Sequence, residues 1–78
     1  MTERVRLTYP AELIREPVLG QLVRRFDVLP NIRRADVSDD MGWIVCELDG
    51  EPGRVAEAIA WMQRLGVDVD RLEHPLES

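Results

Sequence analysis

Asn31, Arg33, Arg34, Trp43, Cys46 and His74 are the residues of this chain whose types can do chemistry. Asn31 carries both a hydrogen-bond donor and an acceptor, so it can read the polar groups of a ligand or close a loop. Arg33 and Arg34 can clamp a carboxylate with forked hydrogen bonds, or lie solvated along an edge strand. Trp43 offers a large apolar surface of the kind that anchors interfaces. Cys46 alternates with Ile44 and Leu48, the setting of a small core residue rather than a nucleophile. His74 has no partner at ligand spacing. The turn Asp49-Gly50-Glu51-Pro52-Gly53 can present free amides to a carboxylate, or simply start a helix. No nucleophile, base and orienting acid stand together, so catalysis is not expected. A single cysteine excludes a thiolate metal cluster, and neither a metal nor a cofactor is expected.

These residues need a scaffold, and the periodicity supplies one. Glu3 to Tyr9 alternates as a strand with Val5, Leu7 and Tyr9 on one face. Glu16-Pro17 starts a helix running to about Asp27, with Val18, Leu19, Leu22, Val23 and Phe26 as its apolar stripe. Gly20 within it suggests a close approach to the sheet. Val28 to Pro30 connects to a second strand from Asn31 whose mixed faces suit a sheet edge. Ser38 to Gly42 forms a turn ending in a glycine for positive φ. Trp43 to Asp49 is a central strand, and Pro52 opens a second helix that Gly66 closes. Val55, Ala58, Ile59, Met62 and Leu65 form its core stripe, with Trp61 off that stripe. Val67 to Leu72 is a last strand.

The order βαββαβ predicts an α+β, ferredoxin-like fold, a four-stranded antiparallel sheet with two helices on one face. Residues 1–74 form the domain and 75–78 a tail. By parity the bare face carries Arg4, Arg6, Thr8, Ile32, Arg34, Trp43, Val45 and Glu47. Ile32, Trp43 and Val45 are therefore expected to form an interface, and a homodimer is the default for a chain of 78 residues with a small core. The net charge of −5 argues against nucleic acid. Of the outward aromatics that an RNA-binding sheet needs, only Trp43 is present, since Tyr9 points inward. No apolar run near 18 residues and no leader pattern is present, which predicts a cytoplasmic protein without membrane insertion.

Pro30-Asn31-Ile32, then Ala35, Val37, Gly42 to Gly50 and Leu65-Gly66-Val67, together with Glu16-Pro17 and Phe26-x-Val28, resemble the NIL domain. That family is related in fold to ACT-type regulatory domains. It is found at the C-terminus of methionine ABC-importer ATPases, where paired domains bind methionine and inhibit transport, and also beside ferredoxin modules or alone. With no Walker motif and no cysteine array, this chain looks like the stand-alone form or a separate subunit. The resemblance implies a ligand site at Asn31, Ile32 and Arg33. It also implies a regulatory homodimer sensing methionine or a related sulfur-containing amino acid. The alternative is a ligand-free interaction subunit of a transporter or a sulfur-metabolism enzyme. Arg33 stands where the family has Leu, which favours a carboxylate-bearing or anionic ligand.

Overall fold

The computed structural model describes residues 2–10, 17–38 and 40–72. His74, the 75–78 tail, Leu13, Ile14 and Glu16 lie outside them. Strands β1 (Thr2–Pro10), β2 (Leu29–Val37), β3 (Met41–Asp49) and β4 (Asp68–Arg71) form one antiparallel sheet in the order β2-β3-β1-β4. This is the ferredoxin-like arrangement, with β2 on an edge. The strands are longer than alternation suggests at both ends of the hairpin. Pro30 lies within β2 rather than before it, which an edge strand tolerates because one side needs no ladder donor. Gly42 likewise pairs inside β3 opposite Val37 and Tyr9, and has no positive φ.

Helix α1 (Val18–Gln21) runs into a π-helical turn, Leu22–Phe26. Asp27, at φ 57°, then takes the left-handed conformation. There the Val28 amide donates back to the Leu22 carbonyl at 3.2 Å and the chain reverses into β2. The wider turn was not legible in the apolar spacing, which fits a regular helix equally well. Helix α2 (Pro52–Leu65) starts with proline in its first turn and ends at Gly66, φ 107°. The Gly66 and Val67 amides donate to the Gln63 and Met62 carbonyls, the paired bonds of a Schellman closure.

Both helices cover the sheet face that carries Val5, Leu7, Tyr9, Ile44, Cys46 and Leu48. Against these pack Val18, Leu22, Val28, Val55, Ala58, Ile59, Met62 and Val67. Leu65, expected in the α2 stripe, is instead 41 % exposed beside the cap. Trp61 departs in the other direction, being buried against Phe26 with ring centroids 5.6 Å apart.

The glycines divide by what surrounds them. A Cβ on Gly20 would meet only the Pro17 side chain at 4.0 Å, so Gly20 marks no approach to the sheet. A Cβ on Gly50 would lie 3.3 Å from the Asp27 carbonyl oxygen and 3.3 Å from Val28 Cγ2. Gly53 has nothing within 4 Å. Gly50→Ala is therefore expected to destabilise by about 1–3 kcal/mol through overpacking. Gly53→Ala, in the first turn of α2, is expected to stabilise by up to ~1 kcal/mol through helix propensity. Urea titration of both variants checks the opposite signs, and equal shifts would refute the packing account.

Candidate functional site

The face turned away from the helices is built from alternate residues of three long strands. In antiparallel pairs, residues directly opposite share a face. Arg4 is opposite Glu47, Arg6 opposite Val45 and Thr8 opposite Trp43, so β1 and β3 present all six together. On β2 the register shifts between Ile32 and Arg34, leaving Arg33 as an extra residue in a bulge. This changes the parity reading. Ile32 is opposite the buried Cys46 and so points to the helix side, whereas Arg34 is opposite Val45 on the bare side. The bulge directs both consecutive arginines to the bare face, since Arg33 also reaches Glu47 there. Ile32 is thus separated from Trp43 and Val45, with which parity had grouped it.

Glu47 is the hub of this surface. Its Oε2 accepts a 2.7 Å bond from Arg4 Nη2 and its Oε1 a 3.2 Å bond from Arg33 Nη2. The hydrogen bond from Arg4, helped by the charge of Arg33 and opposed by partial desolvation, lowers the Glu47 pKa from its ordinary value. A carboxylate whose folded-state pKa is depressed contributes stability above its unfolded pKa and loses it as pH falls through the folded value. The stability difference between the protein and its Glu47→Gln variant is therefore expected to be largest above about pH 4.5, the ordinary value of the group. It should shrink steadily on acidification below that pH. Denaturant titrations across pH 2.5–7, on the order of six points, measure it, and a difference independent of pH would contradict the assignment.

Cys46 is fully buried, and burial, with the nearby Glu47 charge, pushes its pKa up to about 11. Burial and then Cys46 raise that of Tyr9 as well. A thiol so held is protonated near neutrality and is a poor nucleophile. No group of three metal-ligating side chains occurs among the described residues.

Among the described residues, hollows open on the bare face at two places. One, of about 260 Å³, is lined by Arg6, Thr8, Arg34, Trp43 and Val45. The other, of about 400 Å³, is lined by Arg4, Arg33, Arg34, Val45 and Leu72. Of the residues expected to hold a ligand, Arg33 lines the second. Asn31 lies opposite Glu47 at the same end of the sheet, and its amide makes no side-chain hydrogen bond among the described residues. Ile32 faces the other way and is 54 % exposed. Arg34 and Arg6, both expected on the bare face, line the first hollow; the bulge that brings Arg33 to the same face leaves no trace in residue types.

The family model described as the NIL domain matches residues 3–71. This chain belongs to the NIL domain family. Among curated relatives, the methionine import ATP-binding protein MetN 1 of Burkholderia ambifaria is 28% identical over 74 residues, covering 90% of this chain and 22% of that protein. The corresponding protein of Paraburkholderia xenovorans is 27% identical over the same length. The NIL domain thus spans about 22% of the length of these curated relatives. In solved structures, it superposes on the C-terminal domain of an ABC transporter ATP-binding protein from Enterococcus faecalis with a TM-score of 0.79. That match has 21% sequence identity and covers 92% of this chain and 84% of the other. The superposition bears out the fold. No helix among the described residues of the NIL domain is long and apolar enough to cross a membrane.

Proposed function

We propose that this NIL domain is a cytoplasmic regulatory module that senses a small amino acid, methionine or a related sulfur compound, and acts as a homodimer. It works by binding rather than by catalysis, beside a transporter or a sulfur-metabolism enzyme. The observation that carries this reading is the family match over residues 3–71, whose relatives are described as methionine import ATP-binding proteins. The ligand site is proposed at the start of β2, with Asn31 reading the amino-acid backbone and Arg33 holding its carboxylate, while Ile32, turned to the opposite face by the bulge, is left out of the contact. Support comes from the unengaged Asn31 amide and from Arg33, which a bulge directs toward the hollow beside Glu47.

The dimer is assigned to the β2 edge. Leu29, Ile32 and Val37 are 53 %, 54 % and 57 % exposed there, apolar area that a partner strand would remove from water. Trp43 and Val45, grouped with Ile32 in the expected interface, are half-buried on the bare face and line the first hollow; the proposed dimer contact rests on the β2 edge alone.

Calorimetry with L-methionine, L-cysteine and L-homocysteine tests the reading, together with sedimentation of the protein and of Ile32→Glu. Saturable heat with at least one amino acid and dissociation of the variant to monomers are expected. The same exposed edge also suits a ligand-free subunit that completes another protein's sheet. Flat traces with all three compounds would favour that second reading.

A further inference from the structure

The first hollow adjoins the second and shares Arg34 and Val45 with it, but its other parts, Arg6, Thr8 and Trp43, are suited to a different molecule. In register across the sheet, Arg6 and Arg34 flank Val45, one on β1 and one on β2. Their backbones lie two strand spacings apart, roughly 10 Å, with Val45 as the floor between them. Trp43, two residues along β3, forms one end, and Thr8 beside it adds a hydroxyl. Arg34 has no carboxylate within ion-pair distance among the described residues. Among the described residues Arg6 holds only Asp70, at 3.3 Å between side chains 50% and 59% exposed, a contact weak enough to exchange for a ligand. The Trp43 indole is stacked by no aromatic ring or cation among the described residues, whereas Trp61 has both. A flat apolar surface beside two available guanidinium groups fits a small planar body carrying one carboxylate.

We propose that this hollow binds a small aromatic monocarboxylate, its ring against Trp43 and Val45 and its carboxylate between Arg34 and Arg6. The surrounding charges set the number of carboxylates. Asp36 is opposite Trp43 and Asp68 opposite Thr8, so the tryptophan end of the face is acidic. Glu47 lies beyond Val45 but is engaged by Arg4 and Arg33. A second carboxylate on the ring would meet Asp36 and Asp68 and be repelled. The inference is independent of methionine binding at Asn31.

Phenylacetate is the probe and phenylacetamide, of the same shape without charge, its control. Both are titrated into the isotope-labelled protein and followed by amide and indole N–H resonances, with Trp43→Phe assigning the indole signal. Phenylacetate is expected to shift the Trp43 indole and the Thr8 and Val45 amides along saturable curves, with phenylacetamide at least tenfold weaker. Arg34→Gln, a surface change, should weaken phenylacetate at least fivefold while the remaining spectrum stays folded, and Asn31→Ala should leave it unchanged. Equal response to acid and amide, no response, or no loss in Arg34→Gln would overturn the assignment. Loss of phenylacetate binding in Asn31→Ala, or its competitive displacement by methionine, would show one site instead of two and overturn it as well. Absence of methionine binding alongside a saturable phenylacetate response would sink only the amino-acid reading.

Discussion

Trp61→Ala is expected to cost about 3–5 kcal/mol, the range for deleting a buried aromatic. Trp61 is 8 % exposed although it stands beside, rather than within, the stripe of Val55, Ala58, Ile59 and Met62. That stripe packs on the sheet. Trp61 occupies the flank of α2 and packs against Phe26 of the π turn, with the Arg25 guanidinium carbon 5.1 Å from the indole centroid. Removing the indole leaves a void between the two helices that the half-buried Phe26 can fill only in part. Trp61→Phe keeps most of the apolar volume and should lose roughly half as much or less. Arg25→Ala should change stability by about 0.5–1 kcal/mol, the scale of an exposed cation-π contact. Urea unfolding of the three variants reads the order. A Trp61→Ala loss under about 1 kcal/mol would place the indole outside the core.

Trp61 also shows where the sequence ceased to be informative. Strand and helix order, the inward faces of β1 and β3, the edge position of β2 and the cap at Gly66 were legible because each follows from a local period or a single special residue. Burial of Trp61 depends on a neighbouring helix, and one helix's stripe carries no record of its neighbour. The bulge at Arg33 was hidden for a related reason. Strict alternation assigns Arg33 and Arg34 to opposite faces, and only pairing with β3 reveals the residue that breaks the count. That one-residue shift moved Ile32 away from Trp43 and brought the arginines together, so the candidate site was less legible than the fold. The role of Gly50 was likewise set by contact with Asp27 and Val28, over twenty positions earlier in the chain.

For the amino-acid site proposed above, Asn31→Ala is expected to weaken methionine binding about 10–100-fold, because truncating the amide would leave ligand polar groups desolvated without a partner, at about 1–3 kcal/mol. Arg33→Leu separates the contributions of charge and apolar contact at the same site. Arg33 shares Glu47 with Arg4, and the Arg4 bond is the shorter, 2.7 Å against 3.2 Å. Glu47 therefore keeps a partner when Arg33 is removed, and the fold should tolerate the change. If Arg33 clamps the ligand carboxylate, the variant should bind every amino acid more weakly. If the side chain instead lies beside the methionine thioether, leucine should raise methionine affinity several-fold while leaving cysteine unchanged. Calorimetry with the two amino acids distinguishes the cases. Affinities unaltered in both Asn31→Ala and Arg33→Leu would exclude the β2 start as the site. The glycine turn from Gly50 to Gly53 would then be the next place to look, on its Gly53 side, because the Asp27 carbonyl and Val28 crowd Gly50 whereas nothing lies within 4 Å of a Cβ on Gly53.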